Sequence, residues 1–336
     1  MNDTEKEEYY CPCREADPDH FISNEEVKWL IKNQDKYTFK QEDFLRIYNC
    51  IHCNDCGTSE DRFLLKEKFL EDGGKIEGLD DNIDALLTHG TPFIKNKSRV
   101  KVPEGILNNA ETLLYLGCFT TVKTPIYAQN IIKYLLSKGI KFTLLNKEFC
   151  CGYPILCNGA IEVYNELVNR NKVLFQEKGF KLIITACPSC YMVFKKEYSA
   201  MDIDVKYFTE YLTASEQKNA GNLIIQHACP LRNGEIPGIV DYLETLYKKS
   251  GYNLLTEVPK TCCGGGVGHQ LRIDIIDEIA TKRMKDFKEE SGYFKELDSE
   301  NNLITTYCPD AYWILKVYGK KMKIPFKLKD LCELLL

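Results

Sequence analysis

The chain has 336 residues, a formal net charge of −5, and 44% hydrophobic against 28% charged residues. It is long enough for two or three domains with sizeable cores, and it is neither collagen-like nor wholly disordered. No apolar run approaches the roughly 18 residues of a membrane span, and the negative charge argues against an electrostatic nucleic-acid binder.

The acidic opening MNDTEKEEYY lacks a basic n-region and an apolar h-region, so no signal peptide is expected and a cytoplasmic location is. The count that stands out is 16 cysteines against five histidines. Secreted disulfide scaffolds are usually shorter than about 100 residues. In a reducing compartment so many cysteines point instead to metal or catalysis. No histidine is spaced against a cysteine pair, which leaves all-thiolate zinc and iron–sulfur clusters.

The first cysteines are Cys11, Cys13, Cys50, Cys53 and Cys56. The Cys50-x2-Cys53-x2-Cys56 run lets three thiolates close on one face of a cubane. The bacterial ferredoxin pattern would add a fourth cysteine that ligates the other cluster, but Glu60-Asp61 stand at that place. Upstream, Cys11-Pro12 looks like the fourth cysteine of a first motif whose triad is absent. The two losses agree with a two-cluster ferredoxin reduced to one cluster. One [4Fe–4S] cubane is therefore expected on Cys11, Cys50, Cys53 and Cys56, with Cys13 the other candidate for the fourth ligand and four-cysteine zinc the competing metal. Residues 23 to 48 read as helix, with Ser23 as N-cap and Glu26 completing a capping box. Residues 73 to 105 mix turn residues with one short helical pattern, ending a small, mainly helical, ferredoxin-like domain over residues 1–105.

The remaining chain repeats itself. LLYLGC ending at Cys118 matches LIIQHAC ending at Cys229; FCCGYP at 149–154 matches TCCGGG at 261–266; IITACPSCY at 183–191 matches ITTYCPDAY at 304–312. The last pair is spaced further apart than the others, so the second copy carries an insertion, expected in FKEESGYFKELDSENN. Tandem domains over 106–218 and 219–336 follow. In the first copy Leu113–Leu116 reads as a strand. A helix with Thr124 as N-cap and Pro125 at its first position follows, stopped by Gly139. Lys141–Leu145 reads as a strand, Ala160–Lys178 as a helix, and Leu182–Ala186 as a buried strand. Such alternation argues for a parallel α/β sheet. Cys118, Cys187, Cys229 and Cys308 then sit past the C-terminal ends of strands, where open α/β sheets bind ligands. Gly152, Gly264 and Gly265 allow close backbone approach to a bulky ligand. Adjacent cysteines chelate a single ion poorly but can serve different irons of one cluster.

The set Cys118-x31-Cys150-Cys151-Gly152-x34-Cys187-x2-Cys190 resembles the cysteine-rich CCG domain of heterodisulfide reductase B and D subunits and of related oxidoreductase subunits. The resemblance covers residues 112 to about 320 as two Rossmann-like CCG domains. It implies a [4Fe–4S] cluster of non-cubane shape on Cys118, Cys150, Cys151, Cys187 and Cys190, where a disulfide is reduced. The second copy departs from the pattern. Ala311 replaces its last cysteine, leaving Cys229, Cys262, Cys263 and Cys308 for a second iron–sulfur cluster of open type. The resemblance also implies a hetero-oligomer: electrons come from a flavin-, ferredoxin- or hydrogenase-type partner, and the substrate is a small-molecule disulfide or thiol. A purely electron-transferring subunit of a flavin-linked 2-hydroxyacid or glycerol-3-phosphate dehydrogenase is the alternative.

His227 and Arg232 flank Cys229 and are candidates to hydrogen-bond cluster sulfur or a substrate anion. Gly264, Gly265, Gly266 and Gly268 fit no nucleotide fingerprint. Cys157 and Cys332 are expected in the core, and Tyr191 and Tyr312 are expected to line cluster pockets.

Overall fold

The internal repeat folds as two parallel sheets of matching strand order in the computed structural model, which describes residues 10–57, 59–93, 100–107, 109–216, 221–266, 271–289 and 302–336. In the first copy β1 (Thr112–Tyr115) pairs with β2 (Leu182–Thr185), and β2 with β3 (Asp204–Tyr207). In the second copy β4 (Asn222–Gln226) is flanked by β5 (Asn253–Leu254) and β6 (Asn302–Thr306), and β7 (Lys327–Asp330) pairs with β6. The apolar runs Leu113–Tyr115, Ile183–Ile184, Leu223–Ile225 and Leu303–Ile304 are buried, as strands covered by crossover helices must be.

The strand expected over Lys141–Leu145 is reduced to bridges at Thr143, which pairs with Leu113 and Leu107. Thr143 makes the ladder bonds, to Leu114 N–H (3.0 Å) and Thr112 C=O (2.8 Å). One step further the pairing is replaced: the N–H groups of Leu116 and Gly117 donate to the Glu148 carboxylate (2.9 and 2.8 Å). A side chain thus takes the donors that a longer strand would have used.

Helices fill the crossovers. In the first copy these are α6 (Cys118–Val122), α7 (Pro125–Ser137), α8 (Tyr153–Leu156), α9 (Ile161–Lys178) and α10 (Pro188–Glu197). Pro125 opens α7 and Gly139 (φ +72°) follows its end, as expected. In the second copy they are α11 (Ile239–Lys249), α12 (Ile273–Glu289) and α13 (Pro309–Met322). Gly268, most of the expected insertion and the opening residues 1–9 lie outside the described residues.

The N-terminal region is helical: α1 (Pro12–Ala16), α2 (Asn24–Lys32), α3 (Phe44–Ile47), α4 (Ser59–Glu71) and α5 (Leu79–His89). The single helix expected over 23–48 is broken. Ser23 does cap α2, accepting from Glu26 N–H (3.1 Å), but the Glu26 carboxylate binds Arg46 instead of closing a capping box. The helix stops because Asn33 turns its side chain back onto Trp29 C=O and Phe39 N–H donates to the Asp72 carboxylate (2.8 Å). That bond draws residues after the helix into an extended segment tied to the end of α4. Val27, Leu30, Phe63 and Phe69 join the large core that holds the first copy's strands and part of the second copy, whereas Cys11, Cys13, Ile51 and Cys53 join a core of second-copy residues. The N-terminal region is thus shared between the copies. Among the described residues no helix is long and apolar enough to cross a membrane.

Candidate functional site: three cysteine groups at one edge

In the first copy, Gly117 (φ +86°) turns the chain out of β1 and Cys118 opens α6. A Cβ on Gly117 would stand 3.1 Å from Cys190 Sγ, so the glycine leaves room for the opposite turn. Cys187 caps α10, Pro188 holds its first position and Cys190 lies in its first turn. The thiols form one run: Cys118 Sγ lies 3.5 Å from Cys150 Sγ, and side-chain contacts continue through Cys151 and Cys190 to Cys187. The loop bearing Cys150 is held from two sides. Tyr115 at the end of β1 donates to Phe149 C=O, and Asn171 of α9 donates to Cys150 C=O (3.1 Å). Cys118, Cys151, Cys187 and Cys190 line a cavity whose other wall is Leu86, Phe93 and Phe119, with about 710 Å³ of open space counting its mouth.

The second copy rebuilds this frame with other side chains. Gln226 takes the place of Tyr115 and donates to Thr261 C=O (3.1 Å). Arg283 of α12 takes the place of Asn171 and donates to Pro259 C=O (2.5 Å). Gly264 has the same left-handed φ (+82°) as Gly152 (+92°), and the Gly264 N–H donates to Cys262 Sγ (3.4 Å). Gly265 N–H also donates to Cys263 Sγ (3.4 Å). Such bonds set cluster potential. Cys262 touches Cys229 and Cys263. Cys308 caps α13 and lines the same cavity as these three.

His227 lines that cavity, but both its nitrogens are engaged. Nδ1 is 3.1 Å from the Tyr307 hydroxyl and Nε2 is 3.7 Å from Glu244. Arg232 stands beside Cys229 and Cys262, in a near-buried ion pair with Asp55 of the N-terminal cysteine loop. Tyr191 packs edge-on against Tyr207 and Tyr312 against Tyr127. Neither lines these cavities, and the expectation that they would is corrected. Tyr191 packs instead on β3 of its own copy, and Tyr312 on α7 of the first copy. Cys157 and Cys332 are fully buried in the core.

The N-terminal group repeats the cysteine–proline–helix device. Cys11 caps α1, Pro12 is its first residue and Cys13 is in its first turn. Cys13 touches both Cys11 and Cys50. The buried cations Arg62 and Lys66 stand beside these thiols, the counter-charge that a buried anionic group needs. Lys66 Nζ is 2.5 Å from His52 Nε2 and 2.9 Å from Cys157 C=O. Burial and these cations hold the His52 pKa well below its usual value, so the ring is neutral. Among the described residues no three His, Cys, Asp or Glu side chains converge to hold a single metal ion. The thiols instead surround cavities, an all-sulfur donor set with backbone N–H groups aimed at sulfur, which fits iron–sulfur clusters.

The family description "Cysteine-rich domain" (CCG) matches residues 112–195 and 223–316, together more than half of the chain. The chain belongs to the CCG cysteine-rich family. It is 22% identical to an uncharacterized iron–sulfur protein of Methanococcus maripaludis, over 94% of this chain and 68% of that relative. It is 29% identical to the EtfAB:quinone oxidoreductase of Syntrophomonas wolfei, over 59% of this chain and 30% of that protein. It is 22% identical to the D subunit of the dihydromethanophenazine:CoB–CoM heterodisulfide reductase of Methanosarcina mazei, over 72% of this chain and 63% of that relative. The chain thus spans less than two thirds of the last two.

Sequence reasoning missed four supports of this site. Asn171 and Arg283 read as ordinary helix polars, although the repeat places both at equivalent positions. Glu148 is half-buried, and desolvation pushes its carboxyl up to about 7. Asp310 is buried between the two CCG cavities and lines both.

Proposed function

We propose that this CCG protein is an iron–sulfur oxidoreductase subunit that takes electrons at the N-terminal cysteine group and delivers them to the first CCG group, where a small-molecule disulfide is reduced. The observation that carries the reading is the unbroken run of five thiols, four of which line a cavity that Leu86, Phe93 and Phe119 also wall. A cluster held there would supply single electrons. The protein's own part is to orient the ligands, through Tyr115, Asn171 and Glu148, and to keep water from them, through Leu86, Phe93 and Phe119. The balanced reaction takes two electrons and two protons, breaks the sulfur–sulfur bond and releases two thiols. No flavin fingerprint occurs in the sequence, so the electrons come from a partner of flavin, ferredoxin or hydrogenase type.

The order of the sites supports this direction. Cys53 lines both the N-terminal cavity and that of the second copy. Ser189 and Asp310 line both CCG cavities. The second copy is thereby an intermediate station. A second reading, a purely electron-transferring subunit of a flavin-linked dehydrogenase, is favoured by Ala311 at the place of a ligand and by the similarity to a quinone oxidoreductase.

The test is iron and sulfide quantitation with paramagnetic resonance on anaerobic protein, before and after adding candidate disulfides. The expected result is a disulfide-induced change confined to the signal that Cys190→Ala removes. A spectrum indifferent to every disulfide and thiol tried would overturn the first reading in favour of the second.

A further inference from the structure

We infer that Cys53, though it belongs to the Cys-x2-Cys-x2-Cys run of the N-terminal region, is a ligand of the second CCG site, where it replaces the thiolate that Ala311 does not supply; Cys13 takes its place in the N-terminal group. The inference rests on the reading that the second site holds an iron–sulfur cluster.

Thiol contacts divide the N-terminal cysteines into two parties. Cys13 touches Cys11 and Cys50. Cys53 touches Cys262, the first cysteine of the second copy's adjacent pair. The count then balances. The second site has Cys53, Cys229, Cys262, Cys263 and Cys308, five thiols like the first. The N-terminal site has Cys11, Cys13, Cys50 and Cys56, the four that a cubane takes.

The backbone around Cys53 is shaped to turn it. His52 (φ +56°) and Asn54 (φ +63°) are two of the three non-glycine residues with left-handed φ among the described residues, and they flank Cys53 on both sides. Such conformations persist where surrounding structure enforces them. Here the enforcement is visible. A Cβ on Gly266 would collide with the Ile51 carbonyl, so the second copy's glycine loop lies directly against this segment. Asn233 donates to Cys53 C=O (3.3 Å), and Arg232 and Asn233 both bind Asp55. All three anchors come from the second copy. His52 also lines the second cavity. Its buried Nδ1 has no hydrogen-bond partner among the described residues.

The first copy shows why the second needs help. Position 190 supplies Cys from the first turn of α10; position 311, its counterpart in α13, supplies a buried methyl group. A ligand from outside the repeat restores the number without changing the frame.

The experiment compares cluster signals and iron content in the full, anaerobically loaded chain. Cys50→Ser marks the N-terminal signal by removing it, and Cys263→Ser marks the second-site signal. Cys53→Ser is expected to match Cys263→Ser, and Cys13→Ser to match Cys50→Ser. If Cys53→Ser matches Cys50→Ser, the assignment is overturned. Persistence of the first-copy signal, which Cys53 does not touch, certifies folding in each variant. Should Cys53→Ser fail that control, Cys53→Ser/Ala311→Cys is read instead. It is expected to keep all three signals, and loss of the N-terminal signal there overturns the assignment. A chain in which Cys263→Ser removes no iron at all fails the underlying reading of the second site, an outcome distinct from failure of the Cys53 assignment.

Discussion

The two CCG copies share a frame down to single positions and differ in what stands on it. Tyr115 and Gln226 each bond the carbonyl before the cysteine pair, and Asn171 and Arg283 each hold that loop from the long helix. Around the first strand's cysteine the copies part. Leu116, Thr121 and Glu148 of the first copy correspond to His227, Arg232 and Lys260 of the second. In the first copy, Glu148 closes on the backbone of Leu116 and Gly117. In the second, Lys260 pairs with Glu244, which faces His227, and Arg232 reaches out to Asp55. The first copy is thus turned inward, with all five cysteines of the motif present and Leu86, Phe93 and Phe119 against its cavity. The second is turned toward the N-terminal loop and bound to it by charge. Under the proposed function, their difference would separate a terminal reaction site from a relay between neighbours.

The largest expected effect breaks that charged tie. The side chains of Arg232 and Asp55 are only 11% and 12% exposed, so Arg232→Ala leaves a carboxylate nearly buried without its partner. The expected loss is about 3–5 kcal/mol in denaturant unfolding. The matching change in the first copy, Thr121→Ala, removes a hydroxyl bonded to Cys118 C=O (3.0 Å) and costs about 1 kcal/mol. Equal losses at the two positions would mean that the second copy is not specifically tied to the N-terminal loop. Arg232→Ala/Asp55→Ala recovers part of the loss, because the stranded charge is gone.

The next prediction converts one copy into the other. Cys190→Ala gives the first copy the ligand pattern of the second. Changes even to groups that only orient metal ligands cost about 10–100-fold, so loss of a ligand is expected to weaken the disulfide-induced spectral response at least ~100-fold. Ala311→Cys is expected to leave that response unchanged. A response that survives Cys190→Ala, measured by titrating the disulfide against the resonance signal, removes the first copy from the reaction.

The repeat and its cysteines were legible because their signals are local. Strand runs end on cysteine, proline opens α7, α10 and α13, and glycine follows each adjacent pair. What could not be read depends on contacts between distant segments. The break after Lys32 comes from Asp72, more than thirty residues on, and the shortening of the strand at Thr143 comes from a carboxylate at Glu148. The cavity that Cys53 faces is set by the meeting of Gly266 with Ile51, over two hundred residues apart. The spacing of Cys50, Cys53 and Cys56 reads as one ligand set, and spacing carries no information about which way a loop is turned. Likewise, Asn171 and Arg283 carry polar side chains that helical periodicity alone assigns to solvent.

The smallest effect tests the seam between the copies. The strands β3 and β7 occupy equivalent places, and Tyr207 and Asp330 end them in equivalent register. Each reaches across to the other copy: Tyr207 donates to Tyr307 C=O, and Asp330 accepts from Asn130 of α7 (2.6 Å). Tyrosine is neutral through the physiological range, but Asp330 titrates. Burial pushes its carboxyl up to about 6 against the bonds from Asn130 and Glu333 N–H, which favour the charged form. The ionisable groups around it are Glu333, the Cys332 thiol and the phenols of Tyr127, Tyr247 and Tyr312, and burial raises the pKa of the thiol and of each phenol. The folded chain therefore holds this proton more tightly than the unfolded chain. The associated stability is fully present below about pH 4 and is lost as pH rises through about 6. Asp330→Asn keeps an acceptor for Asn130 and removes the titration. In denaturant unfolding it is expected to flatten the fall in stability between pH 4 and pH 7 by about 2 kcal/mol. Tyr207→Phe, at the matching place, should shift stability by about 1 kcal/mol with no change of slope. An Asp330→Asn profile parallel to the parent's would show that the seam carries no buried proton and that the two copies meet through neutral contacts alone.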